Sequence, residues 1–164
     1  MPRSRSLLAV ALATCLPLAA QSLTFVVHTP QGTSGSHCDP QTCTPANATA
    51  SVGDPVDLVL RGAFRRPHWL LVAPMPAQCV ALPGFAGNLL VAVTADIVPL
   101  DLITGMPGGD PLGCSSLAGT HTVLVPNTLP VGVQVLLQGL APMPSATGGE
   151  PVWTLSNGVV LTIV

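Results

Sequence analysis

The chain has 164 residues, and only 7% of them are Asp, Glu, Lys or Arg, against about 25% in an ordinary soluble domain. Hydrophobic residues reach 48%, aromatics only 3%, Tyr is absent and the formal net charge is −2. The 16 Gly and 18 Pro exclude a coiled coil or helical bundle, because Pro breaks helix interiors and Gly weakens them. The apolar, charge-poor composition equally excludes a disordered chain.

Residues 1–20 read as a secretory signal. Arg3 and Arg5 precede an apolar run from Leu7 to Leu16, broken only by Thr14, and small residues at Ala19 and Ala20 place cleavage after Ala20, with Ala19 as the other option. Leu12-Ala13-Thr14-Cys15 loosely resembles a lipobox, but Thr14 is a poor residue before a lipidated Cys. A spanning helix needs about 20 apolar residues, and Pro17 stands where it would continue. The expectation is a secreted, periplasmic or cell-envelope protein with no membrane span after cleavage. The strong cations then left are Arg61, Arg65 and Arg66, with no Lys anywhere. Nucleic-acid binding requires clustered Lys and Arg, so neither nucleic acid nor an anionic membrane surface is an expected partner.

The mature chain reads as short strands separated by turns. Residues 21–51 are expected to hold a first strand, Leu23 to Thr29, and then a long loop through residues 30–50. Residues 52–164 form the rest of a single domain. Its expected strands are Val56 to Leu60, His68 to Ala73, Leu89 to Thr94, a weaker Ile97 to Ile103, Thr120 to Val125, Val131 to Leu137 and Val159 to Val164. Pro30-Gln31-Gly32, Gly53-Asp54-Pro55, Leu82-Pro83-Gly84 and Gly148-Gly149-Glu150-Pro151 punctuate them. Asn157-Gly158 lies between two apolar runs and carries a hairpin signal, since both residues tolerate positive φ, and is expected to turn or kink the chain between two strand segments. Gln134 alternates with Val133 and Val135 and is expected at the surface. The C-terminal strand is expected inside one sheet, because an unpaired apolar tail would aggregate. These features predict an all-β fold, an antiparallel β-sandwich of about 7–8 strands with essentially no helix in the mature chain.

Cys38, Cys43, Cys79 and Cys114 remain after the signal, an even number that predicts disulfides with three connectivities. The turn-like Asp39-Pro40-Gln41-Thr42 favours Cys38 with Cys43, leaving Cys79 with Cys114.

Cofactor chemistry finds little support. A blue copper site needs two His, a Cys and an axial Met, but Cys114, His121 and Met143 are spread too widely, and Cys114 is wanted by a disulfide. Zinc would use His37, Cys38 and Cys43 and lacks a fourth ligand. Asp54, Asp57, Asp96, Asp101 and Asp110 form no Asp-x-Asp-x-Asp run for calcium, and Asp54 and Asp110, each before Pro, shape turns. There is no Gly-x-Ser-x-Gly, and Glu150 is the one Glu. No enzyme activity, cofactor or catalytic residue is expected. Glycan binding would need exposed aromatic platforms, whereas the apolar neighbours of Trp69 and Trp153 point to core positions. The donor-rich segment Arg65-Arg66-Pro67-His68-Trp69 is the first place to look for a ligand, with Arg65, Arg66, His68 and Trp69 as the patch.

Three segments in order carry a family likeness: Gly53 to Ala63, Leu129 to Gly139 and Thr154 to Ile163. They resemble the small C-terminal β-sandwich module of secreted planctomycete-type proteins. That module has a strand ending in a Gly-Ala turn, a Pro-entered strand ending in Gln, and a Ser-Asn pair before the last strand. The resemblance implies export and a β-sandwich and brings no activity, cofactor or site residue. The expected function is therefore a non-enzymatic structural or interaction module with an unknown protein or glycan partner. A glycan- or calcium-binding module is the alternative.

Overall fold

The computed structural model describes residues 23–36, 43–62, 67–75, 79–91, 96–100, 118–143, 145 and 149–164, and none of these is helical. In chain order the strands are β1 (Thr24–Thr29), β2 (Gly32–Gly35), β3 (Ala46–Ala50), β4 (Pro55–Arg61), β5 (His68–Pro74) and β6 (Val80–Ala81). They continue with β7 (Phe85–Ala86), β8 (Asn88–Leu89), β9 (Asp96–Leu100), β10 (Ala118–Leu124), β11 (Gln134–Met143) and β12 (Val152–Ile163). A four-stranded sheet has the order β10-β4-β1-β2, and a six-stranded sheet runs β3-β12-β11-β5-β9 with β7 beside β12. β6 and β8 form a separate pair. The all-β, sandwich-like class is as the sequence predicts.

The space between the two sheets is filled by alternate residues of each strand, since successive side chains point to opposite faces. Phe25 and Val27 of β1 and Val56, Leu58 and Leu60 of β4 meet Leu70, Leu137, Val159, Leu161 and Ile163 of the large sheet. Burying side chains of this size contributes about 1.5–3 kcal/mol each. β12 lies between β3 and β11, so the C-terminal strand is inside a sheet, as expected.

The strand arrangement departs from a purely antiparallel sandwich. β3 and β7 run parallel to β12. Parallel neighbours need a crossover, and β3 has one because β4, which follows it, lies in the other sheet. The stretch 30–50 is not one long loop, since it contains β2, a hairpin partner of β1, and β3. Of the strand expected over 89–94, Leu89 belongs to β8, Leu90 and Val91 are buried beyond it, and residues 92–95 lie outside the described residues. The strand expected from Val131 starts instead at Gln134 and runs on to Met143. Gly132, at φ +89°, turns the chain and donates from its N–H to Ile163 O at 2.8 Å.

Asn157-Gly158 is not a hairpin. β12 is continuous through it, because residues on both sides pair with the single strand β11. The two registers, Gln138↔Gly158 and Leu140↔Leu155, differ by one residue. Ser156 and Asn157 therefore stand opposite Gly139 alone, the two-against-one count of a β-bulge. Gly139 is required there: an added Cβ would collide with Leu60 Cδ1 from the facing sheet and come within 3.2 Å of Ser156 Oγ.

The disulfide joins Cys43 to Cys79, with Cα atoms 5.5 Å apart. It overturns both expected pairings, Cys38–Cys43 and Cys79–Cys114. Closeness in sequence is overruled by topology: the segment starting at Cys79 folds back across the large sheet toward the strand that Cys43 leads into, and Asn88 Nδ2 reaches Cys43 Sγ at 3.8 Å. Cys38 and Cys114 lie outside the described residues.

Candidate functional site

The outer face of the large sheet carries a second apolar cluster. Leu71 and Ala73 of β5, Leu136 of β11, and Leu155 and Val160 of β12 are covered by Leu89, Leu90 and Val91. The cover is a flap, residues 79–91, which turns at Pro83-Gly84 and makes only two register pairs with the sheet, Trp153↔Phe85 and Thr154↔Ala86. At Gly87, φ is +89° and an added Cβ would sit 2.6 Å from Leu155 O, so the flap approaches the sheet as closely as a backbone can.

One polar side chain holds the flap down. Gln138 is fully buried. Its Oε1 accepts from Leu90 N at 2.9 Å, and its Nε2 donates to Asn88 O and Ser156 O, each at 2.7 Å. Buried amides of this kind persist because leaving the group unpaired would cost about 1–3 kcal/mol.

Among the described residues, two indoles stand on the same face beside the flap. Trp69 precedes Leu71 by one alternation on β5, and Trp153 precedes Leu155 by one on β12. The indoles meet over β11, with centroids 5.2 Å apart and planes inclined at 51°. Trp153 is 39% exposed and Trp69 half-buried, so neither is a core residue in the way its apolar neighbours suggested. Phe85, in register with Trp153 and 38% exposed, extends the strip onto β7. The strip is fixed by strands, with Trp69 opposite Leu140 and Trp153 opposite Pro142. Trp69 was legible as a surface candidate. Trp153 was not, although the matching alternation Trp69-Leu71-Ala73 and Trp153-Leu155 places both at the same end of one face.

The other members of the expected patch do not converge on it. His68, adjacent to Trp69 on β5, points to the opposite face and is 4% exposed. Its ring lies against Gly119, where an added Cβ would meet Cε1 at 3.2 Å. Arg65 and Arg66 lie outside the described residues. Met143 is buried in the core between the sheets. Among the described residues no three His, Cys, Asp or Glu side chains gather as metal ligands.

The small sheet presents a polar row on its own outer face. Thr33, His28, Asp57 and Thr122 are successive cross-strand neighbours from β2 to β10. Thr33 Oγ1 and His28 Nδ1 share a hydrogen bond of 2.7 Å, and Thr122 Oγ1 donates to Asp57 Oδ1 at 2.6 Å. A shallow cleft of about 260 Å³ opens between the edges of β2 and β3, lined by Thr29, Gln31, Ser34, Asn47 and Thr49 among others. Gln31 also donates to Asp54 Oδ2, which accepts from Ser51 N as well, each at 2.7 Å. These bonds hold the Asp54 carboxyl below the usual carboxylate range, the Gln31 bond most and the Ser51 backbone next. Asp54 thus shapes the turn before Pro55, as the sequence implied.

No family model matches the chain, and no curated protein matches it either.

Proposed function

We propose that this chain is a non-enzymatic module of the secreted or cell-envelope space that acts by presenting the Trp69–Trp153 strip to a partner. The observation that carries this reading is an exposed indole, Trp153, touching the half-buried indole of Trp69 on paired strands. Trp is enriched where binding energy concentrates, and side chains already held by a sheet lose little freedom on binding. The disulfide suits an oxidising compartment. Among the described residues no helix is long and apolar enough to cross a membrane. The resemblance of residues 53–163 to a secreted module supports the same compartment.

The test is retention. Immobilised wild-type protein and a Trp153→Ala variant are exposed to the native envelope fraction. Material held by the first and released by the second supports the reading. Equal retention on both removes the strip from the contact.

A further inference from the structure

We infer that the Trp69–Trp153 strip binds a neutral polysaccharide, with sugar rings stacked face-on against the indoles. This rests on the reading of the chain as a binding module and adds the ligand class.

The aliphatic side chains of this face, Leu71, Leu136, Leu155 and Val160, are buried beneath the flap. Beside them Trp153 and Phe85 are exposed, and Trp69, Leu140 and Pro142 are half-buried. Aromatic faces are electron-rich, and the C–H bonds that line one face of a pyranose are polarised to meet them.

The ring geometry selects a chain over a flat ligand. The planes are inclined at 51° with centroids 5.2 Å apart, so a planar molecule lies on one indole and leaves the other. A chain of sugars that rotates from one unit to the next presents successive faces at different angles and meets both. Phe85, in register with Trp153 on β7, adds a third stacking surface in the same direction across the strands.

The electrostatics select a neutral chain. Among the described residues on this face of β5, β11 and β12, those around the strip are Trp69, Leu71, Leu140, Pro142, Trp153 and Leu155, none ionisable. His68, the nearest imidazole in sequence, is buried on the other face. The chain has no Lys at all, and the described part of this face offers no cation to a phosphate or uronate group.

The experiment is native-gel affinity electrophoresis of the full disulfide-bonded protein in hydroxyethyl cellulose, galactomannan and xylan, with alginate as an anionic contrast. Tryptophan emission is read in parallel. At least one neutral polymer is expected to retard the wild type and shift its emission, with alginate inert. Trp153→Ala should weaken that retardation about tenfold or more, the loss of one stacking anchor. Binding is compared below the melting temperature of each variant, because the Trp153 ring packs on Trp69 and its removal lowers stability. Trp69→Phe, which keeps an aromatic face, serves as the second variant and should bind with an intermediate loss. Retardation by alginate alone, by no polymer, or equally of wild type and Trp153→Ala overturns the inference. If no polymer binds while Trp153→Ala still releases envelope material, the ligand class is wrong and the module reading stands. If Trp153→Ala changes neither, both fall.

Discussion

The two faces of the six-stranded sheet are buried in different ways. The inner face packs against a second sheet, and the outer face against a flap of thirteen residues, 79–91, fastened at its start by Cys43–Cys79. Each face relies on one buried amide from the β11–β12 ladder. Asn157 points inward, where its Oδ1 accepts from Phe25 N and its Nδ2 donates to Phe25 O, both at 2.8 Å. The β2 ladder ends at Val26↔Gly35, so Asn157 takes the place of a neighbouring strand for Phe25. Gln138 points outward and does the same for Asn88 and Leu90. The difference lies in what happens if either amide fails. Phe25 cannot reach water without parting the sheets, whereas the flap can lift and hydrate its own backbone.

The largest effect should come from the bridge that spans this division. Cys43 and Cys79 are 36 residues apart, and the loop they close contains β3, β4 and β5, strands of both sheets. In the chain-entropy model such a crosslink contributes about 4 kcal/mol. Replacing both cysteines with Ser should lower the unfolding free energy by about that amount in urea titration. A loss confined to the flap, with global stability unchanged, would show that the bridge serves one face alone. An unreduced digest should yield a peptide linking Cys43 to Cys79.

Next comes the inner amide. Asn157→Leu removes both partners of Phe25 and strands two buried backbone groups, at about 1–3 kcal/mol each. A destabilisation of about 3 kcal/mol, seen as a cooperative shift of the whole urea transition, is expected. Asn157→Asp should not rescue it, since a carboxylate can accept from Phe25 N but cannot donate to Phe25 O. A wild-type transition in Asn157→Leu would mean that the bulge does not aim this residue at β1.

These positions also show where the sequence stopped being legible. Alternation and Pro/Gly punctuation located β1, β4, β5, β10 and the core of β12, because each is a short apolar run whose burial is written into its own residues. The bulge was not visible. Asn-Gly favours a turn locally, and only the pairing of residues on both sides with one strand, β11, overrides that preference. Gln138 failed as a signal for a similar reason. A Gln beside a Gly suggests the end of a strand, and its burial depends on a flap that arrives from residues 79–91. The disulfide was misread because its partners meet through tertiary routing rather than spacing. The Trp strip was half visible: Trp69 stood out beside Arg65 and Arg66, but the strip's exposure depends on how far across the sheet the flap reaches, with β7 beside Trp153.

The outer amide should matter less than the inner one. Gln138→Leu leaves Asn88 O, Leu90 N and Ser156 O without their partner. Because the flap can lift, the expected loss is about 1–2 kcal/mol, within the cost of one unmade buried bond. Hydrogen exchange should speed up at Phe85 to Val91 while amides of β1 and β4 hold their protection, the pattern of local opening. Uniform loss of protection in both sheets would show that the two faces unfold as one unit.

The smallest effect lies away from both faces, at Asp54. Its carboxylate accepts from Gln31 Nε2 and Ser51 N and is held below its ordinary value, first by Gln31 and then by the Ser51 backbone. A depressed folded-state pKa stabilises the native state above the unfolded value of 3.8, and that contribution fades as pH falls through the lower folded value. Asp54→Asn stays neutral across this range, so wild type and variant should differ at neutral pH and converge below about pH 4, the window in which a carboxylate titrates. The other carboxylates titrate in both proteins and cancel in the difference. Thermal melts of the pair across that window read the effect directly. A difference that holds constant into strong acid would mean the Gln31 and Ser51 bonds do not depend on the charge of Asp54.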